Sequence, residues 1–363
     1  MNSSKLIFID WLAGLITLPI IFIFKFINLF KRKNNNNNNI LIIKFLGAGN
    51  FFAIEEFLRA HNCVVITSNT NKDALNFIRY NNKDIFIKTD NIFILGYSSI
   101  SSIFKLLKMK FDHIINMESE SSFAKLVSCI PYSNTVSAIS NRNKSPIDYL
   151  LFNNYIVAPI LSNKNTIINN LYNYKPMVND LMEMITINQK IKFINNTDLQ
   201  IINKIIIAPT CSSTDSLRRV EIRIWKKIIE TLLRRGGFSI DILFPDTNDI
   251  QYDDFLLISK ESKLNLITTN YNEFCDKIKK CDLVISVDSQ ALHLAQHFNI
   301  PIICFYGPTS PYGVRITDAV YPITKSLNCS PCTHKYLKLP CDQKVYCMNF
   351  TDEEILHSIK FIS

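Results

Sequence analysis

The chain has 363 residues, 47% of them hydrophobic and 20% charged, with a formal net charge of +9. This is enough for two domains of about 150 to 180 residues, and it is too apolar for a disordered segment. The charge suits an anionic ligand or membrane surface. No dense Lys/Arg stripe interleaved with aromatics speaks for nucleic acid, and ten cysteines in so long a chain exclude a disulfide scaffold.

Residues 6–30 are almost wholly apolar, interrupted by Asp10, Pro19, Lys25 and Asn28. The uncharged centre, Trp11 to Phe24, is shorter than the ~20 residues a spanning helix needs. Lys31-Arg32-Lys33 follows where a signal peptide has its small-residue cleavage site. No cleavage is expected, and the cations keep the downstream chain on the cytoplasmic side. Residues 1–33 are therefore expected to form a membrane anchor, as an interfacial or re-entrant helix or a tight single span. The alternative is a buried core helix. Residues 34–39, all Asn, read as a linker.

From residue 40 apolar runs alternate with helical patterns. Strands are expected at 40–43, 64–67, 92–95 and 113–116, with helices such as 51–59 and 100–108. That rhythm is a parallel α/β sheet. The first strand meets Gly47-Ala48-Gly49, the outline of a phosphate-binding turn. Phe52 stands where a dinucleotide fingerprint has its third glycine, and Ser68 and Asn69 stand where an oxidoreductase ends its second strand in an acidic residue. NAD is therefore not the expected ligand. The pattern blurs from Asn134 to Asn203, which places the domain boundary near Leu199.

A second βα series begins at Lys204, with strands expected at 205–208, 239–244, 264–267, 283–287 and 302–306. A helix from about Arg219 to Leu233 stops at Gly236-Gly237. Thr351 and Glu354 have capping-box spacing and open a final helix. The expected organisation is one α/β domain over 40–199, a second over 200–348 and a C-terminal helix over 349–363. Both domains are doubly wound, Rossmann-like α/β folds with a cleft between them.

The most informative stretch is "CDLVISVDSQALHLAQHFNIPIICFYGPTSP", Cys281 to Pro311. A strand ends at Asp288-Ser289 and a helix starts at once, so its first N–H groups and Ser289 Oγ can receive a diphosphate. Asp288 either caps this helix or orients His293, one turn along. The next strand ends in a turn that delivers Thr309 to the carboxyl edge of the sheet.

Asp288-Ser289 with His293, then "FYGPTSP" and "LNCSPCTHKYLKLPCDQKVYCM", resembles glycosyltransferase family 9, the ADP-heptose:lipopolysaccharide heptosyltransferases. "IIIAPTCSSTDSLRRVEIRIWKKII" is similar to the family's strand, small polar loop and basic helix start; Val220 and Glu221 replace its Trp-Pro, and Trp225 keeps the later aromatic. "NILIIKFLGAGN" is similar to the first strand and turn, "FDHIINMESESSFAKLVSC" to a later acidic strand end, and "IDWLAGLITLPIIF" to the leader of a membrane-associated branch.

The resemblance implies a GT-B enzyme of bacterial lipopolysaccharide biosynthesis. It would act at the cytoplasmic face of the inner membrane and transfer a sugar, by analogy heptose from ADP-heptose, to a lipopolysaccharide-core or other lipid-linked acceptor with inversion. It places the donor diphosphate at Asp288, Ser289, Gln290, Ala291, Leu292 and His293, with Thr210, Cys211, Arg218 and Thr309 around it. Gln290 stands where the family has Gly. No D-x-D triplet occurs, so Arg218 and the helix end are expected to replace a metal. Two other readings are an inactive GT-B nucleotide-sugar binder and a GT-B enzyme using a different nucleotide-sugar.

Gly47 and Gly49 would form the acceptor-side turn. After Gly49 the family usually carries Asp, its acceptor-activating base, but this chain has Asn50. An amide cannot accept that proton as a carboxylate does. One reading leaves Asn50 to position the acceptor while Glu118 serves as base, with Glu120, Glu55 and Glu56 behind it; Glu55 and Glu56 are expected on a solvated helix face. Otherwise the acceptor geometry differs, or catalysis is lost. Cys329, Cys332, Cys341 and Cys347 can supply four thiolates to a structural zinc, although the five-residue gap of the second pair fits less well. The alternative is closely packed free thiols. The remaining six cysteines read as thiols of a reducing compartment, and no catalytic cofactor is expected.

Overall fold

A computed structural model describes residues 3–30, 39–45, 47–78, 85–87, 105–119, 121–140, 146–157, 202–211, 217–309, 311, 320–325, 327–332, 341 and 344–359. The chain divides into two compact units, 1–184 and 185–363. The expected boundary near Leu199 and the expected strand at 92–95 lie outside the described residues.

Unit 1 contains α1 (Ser3–Leu29), β1 (Ile40–Ile43), α2 (Asn50–Ala53), α3 (Glu55–Ala60), β2 (Cys63–Ser68), α4 (Lys72–Phe77), β3 (Ile85–Ile87), β4 (Lys110–Asn116), α5 (Ser122–Cys129), β5 (Tyr132–Ser140), α6 (Pro146–Leu151) and β6 (Asn154–Val157). Its six strands lie in the order β3-β2-β1-β4-β5-β6, and every pairing is parallel. Ile40, Leu41, Ile42 and Ile43 are all fully buried, as befits a central strand covered on both faces. The expected helix 51–59 is two pieces, α2 and α3, separated at Ile54.

Unit 2 contains β7 (Lys204–Ala208), α7 (Ile222–Arg235), β8 (Ser239–Phe244), α8 (Tyr252–Ser262), β9 (Asn265–Thr268), α9 (Tyr271–Lys279), β10 (Leu283–Val287), α10 (Gln290–His297), β11 (Ile302–Tyr306), β12 (Val320–Thr324) and α11 (Asp352–Ser358). Its strand order, β12-β11-β10-β7-β8-β9, is again all parallel. Read from β9, it has the same 3-2-1-4-5-6 connectivity as unit 1, the doubly wound order that switches direction beside the first strand. Two such units in one chain are the doubly wound pair that the GT-B resemblance implies.

Local chemistry explains the helix ends. Gly236 ends α7 at a positive φ of 69°, and its N–H donates to Leu232 O. Thr351 and Glu354 form the expected reciprocal box at the start of α11, and Asn270 and Glu273 form a second one on α9. Trp225 on α7 is fully buried, edge-on to Phe305 of β11 and tilted against Phe255 of α8. Val220 is likewise buried in this core.

The N-terminal segment folds as one helix that is packed on one side only. α1 joins the core of unit 1 through Ile21 and Phe24. Asn28 Nδ2 donates to Cys129 O at 2.9 Å, and Lys25 Nζ donates to Leu150 O. Burial lowers the Lys25 pKa from its ordinary value. The opposite side of α1 is exposed and apolar. No helix among the described residues is long and apolar enough to cross a membrane.

Candidate functional site

In an open parallel sheet, ligands sit beyond the carboxyl ends of the strands, where the order reverses. In unit 2 that point lies between β7 and β10. Ser286 Oγ donates to Ala208 O at 2.6 Å and so ties the two strand ends together. Asp288 and Ser289 follow immediately. Ser289, not Asp288, is the N-cap of α10: its Oγ accepts from Ala291 N at 3.4 Å. A shorter serine side chain in extended conformation reaches back to its own helix, while Asp288 is engaged elsewhere.

Its partner is Arg218, whose Nη1 donates to Asp288 O at 2.6 Å and lies 3.6 Å from Asp288 Oδ2. The expected cation and the expected helix start are thus in contact across 70 residues of sequence. The neighbouring Arg219 makes a two-pronged pair with Asp249, at 2.8 and 2.6 Å, with both side chains largely buried. Gln251 Nε2 donates to Val220 O at 2.8 Å. These contacts fix the loop that carries Arg218. Sequence reading missed the Arg219–Asp249 clamp, because two residues of opposite charge thirty positions apart leave no local pattern.

Gln290, in the place of the family's Gly, sends its amide aside: Nε2 donates to the Tyr271 hydroxyl at 2.8 Å. His293 is half-buried on the first turn of α10, and Ala291 and Leu292 are buried. Thr210 and Cys211 follow β7, half-buried, and Cys211 packs on the core. Beyond β11, Thr309 Oγ1 is buried with no hydrogen-bond partner among the described residues, a polar atom left for a ligand or water. Burial pushes the Cys304 thiol and the Tyr306 hydroxyl well above their ordinary pKa values, and the Asp288 carboxylate adds to both.

The four-cysteine segment braces the Thr309 turn from behind. Cys332 N donates to Pro308 O at 2.9 Å, and Ser330 Oγ donates to Gly307 O. A Cβ on Gly307 would collide with Met348 Sδ and lie 3.0 Å from Cys347 Sγ, so glycine permits the close approach. Burial, then the neighbouring Cys332, Cys341 and Cys329, push the Cys347 thiol up to about 12. Cys329, Cys332, Cys341 and Cys347 are free thiols, and no group of three or more His, Cys, Asp or Glu among the described residues is arranged to hold a metal ion.

In unit 1 the switch point lies between β1 and β4. Lys44 follows β1 and Glu118 follows β4; Lys44 Nζ lies 2.6 Å from Glu118 Oε1, and both side chains are largely buried. Asn116 holds the turn: its Oδ1 accepts from Glu118 N at 2.8 Å, and its Nδ2 donates to Ser128 Oγ of α5 at 2.8 Å. Gly47 takes a positive φ of 77°, which favours glycine. Gly49 is the right-handed N-cap of the four-residue α2. Asn50 opens α2, but its side chain, with those of Glu56 and Glu120, lies outside the described residues. Glu55 is not on a solvated face. It is buried and paired with Arg59 one turn along the same helix, where the apolar side of α3 leaves it no water. Among the described carboxylates put forward as base, Glu118 is the one at the switch point.

Comparisons with known proteins follow this geometry. The family model described as glycosyltransferase family 9 (heptosyltransferase) matches residues 100–344. The lipooligosaccharide heptosyltransferase 2 of Haemophilus influenzae is 49% identical over 43 residues, a match spanning 12% of this chain and 12% of that protein. Among solved structures, E. coli heptosyltransferase WaaC with ADP-2-deoxy-2-fluoro heptose is similar at a TM-score of 0.57 and 12% identity, over 90% of this chain and all of that one. The E. coli ADP-heptose lps heptosyltransferase II is similar at a TM-score of 0.57 and 15% identity, over 89% and 98% of the two chains. The family 9 glycosyl transferase of Veillonella parvula is similar at 0.56 and 13%, over 90% and 97%. At these identities the structures share the fold.

Proposed function

The chain belongs to glycosyltransferase family 9, the heptosyltransferase family, and from that premise we propose that it transfers heptose from ADP-heptose to a lipopolysaccharide-core or other lipid-linked acceptor. The observation that carries the donor side is the contact of Arg218 with Asp288 beside the Ser289-capped start of α10. A departing nucleoside diphosphate gains negative charge. The guanidinium and the helix N-terminus supply fixed positive potential at one place, the usual means of stabilising such a leaving group. Transfer therefore proceeds without a catalytic metal, in a single inverting displacement. Thr309 Oγ1 is a further donor to the nucleotide-sugar.

On the acceptor side Glu118 is the base. Glu118, held by its ion pair with Lys44, takes the acceptor hydroxyl's proton as that oxygen bonds to the sugar's anomeric carbon and the bond to the departing ADP breaks. The proposal is tested by incubating purified protein with ADP-heptose and truncated core lipid and reading products by mass spectrometry. One added heptose per acceptor with release of ADP is expected. Absence of both turnover and donor binding overturns the reading.

Asn50 favours a second reading, a nucleotide-sugar binder without transfer, because an amide stands where the family usually has its base. Donor-dependent thermal stabilisation with no product in the same assay, unchanged by N50D, would establish that reading. Stabilisation by UDP- or GDP-sugars instead of ADP-heptose would point to a different donor.

A further inference from the structure

The two sides of α1 have different neighbours. Gly14, Thr17, Ile21, Phe24 and Asn28 recur in steps of three and four residues, so they form one stripe of the helix. That stripe is the one turned to unit 1. Thr17 and Ile21 are buried, Phe24 packs on the core, and Asn28 donates to Cys129 O at the end of α5. A Cβ on Gly14 would stand 2.9 Å from Ser122 Oγ at the start of α5. The small residue thus allows the two helices to approach closely.

The other side is apolar and bare. Ile16 is 71% exposed, Phe22 51%, Ile23 58%, Phe26 63% and Phe30 75%. Soluble monomers rarely leave a contiguous apolar stripe of this kind uncovered. Its described residues include no charged group that would set the register of a protein partner. The sequence then continues directly into Lys31-Arg32-Lys33, whose charge complements an anionic lipid surface.

We propose that α1 is an interfacial membrane-docking helix built into unit 1: its Ile16–Phe22–Ile23–Phe26–Phe30 side enters the headgroup–acyl boundary of an anionic bilayer while its Thr17–Ile21–Asn28 side stays locked on α5. The helix is a fixed ledge and not a flexible tether. α5 begins four residues after Glu118, so the turn bearing the acceptor-side carboxylate leads into the helix on which α1 is seated. A lipid-linked acceptor would then meet that turn at a set height above the membrane. This last point rests on the proposed function; the docking itself does not.

The test uses the full chain and vesicles, with neither donor nor acceptor, so its failure is separate from failure of the transferase reading. Co-sedimentation is compared on phosphatidylcholine vesicles and on vesicles containing phosphatidylglycerol. Binding to both is expected, tighter on the anionic ones, with the difference shrinking as salt is added. The triple variant Phe22→Ser, Ile23→Ser, Phe26→Ser should lose about a hundredfold or more in vesicle partitioning with a nearly unchanged melting temperature, since these side chains are more than half exposed and lie outside the core of unit 1. Ile21→Asn should do the reverse, lowering the melting temperature and sparing partitioning. A Phe26→Trp variant should be quenched most by lipids brominated near the glycerol end of the acyl chains. Parent-like vesicle binding by the triple variant would overturn the proposal. So would a parent dimer that the triple variant dissociates, because a second copy would then cover the face. An unaltered melting temperature in Ile21→Asn would overturn the locked seam.

Discussion

The two units share one strand order, and each brings a cation and a carboxylate together where that order reverses, yet the two switch points are built differently. In unit 2 the pair is Arg218 with Asp288, and the chain leaves β10 directly into the eight-residue α10 under a serine cap. In unit 1 the pair is Lys44 with Glu118, and the chain leaves β1 through a glycine turn into the four-residue α2, whose cap is Gly49 without a side-chain bond. A full helix presents aligned N–H groups and a dipole to a phosphate; a single turn presents little of either. Arginine presents a planar fork suited to phosphate oxygens, and lysine a point charge. This difference is what the proposed function rests on when it gives the diphosphate to unit 2 and proton transfer to unit 1, although the two sheets have the same topology.

Substitutions can break this assignment at several strengths. E118Q removes the carboxylate and keeps the shape; transfer should fall about 10² to 10⁴-fold, with donor binding intact by thermal shift. If transfer persists at the parent rate, unit 1 has its base elsewhere. R218A should lower transfer by about 10² to 10³-fold and also weaken donor stabilisation, which E118Q does not; a parent-like donor response would dissociate Arg218 from the phosphate. D249A strands the buried Arg219 and should cost about 3 kcal/mol of stability in denaturant titration, with loss of activity following that of structure. Gly307→Ala drives a methyl into Met348 and should cost about 1 to 3 kcal/mol, displacing Thr309; a neutral melt would show that the cysteine segment yields easily. Ser289→Ala removes one cap contact. The expected loss is only about 1 kcal/mol, so a much larger effect on donor binding than on stability would show Ser289 Oγ acting on the ligand.

Much of the fold was legible because its signals are local. The runs 40–43, 239–244, 283–287 and 302–306 match β1, β8, β10 and β11 residue for residue, because central strands of parallel sheets are predominantly apolar, even with Asp241 in β8 and Ser286 in β10. Thr351 and Glu354 announced α11 for the same reason: a capping box is contained in four residues. The strands that escaped are of another kind. β3 is three residues long, β6 begins at Asn154, and β12 contains Pro322; all three are edge strands, where burial demands less and proline is tolerated. β5 lies inside the sheet but reads YSNTVSAIS, and its polar residues hid it.

The candidate site divides along the same line. Asp288-Ser289 followed by an apolar helix, and the turn after Gly47, are contiguous features, and the sequence by itself located both together with the family. It could not say that Ser289 and not Asp288 would cap α10, that Glu55 would be buried against Arg59, or that one side of α1 would be seated on α5 and the other left bare. Nor could it join Lys44 to Glu118 across 74 positions, or show that Arg218, expected around the same diphosphate, would bond directly to Asp288 across 70. Local order is set by side-chain period, turn and cap chemistry, which act over a few residues. Which charges meet depends on which strand ends become neighbours, and only the crossover connections of the folded sheets decide that.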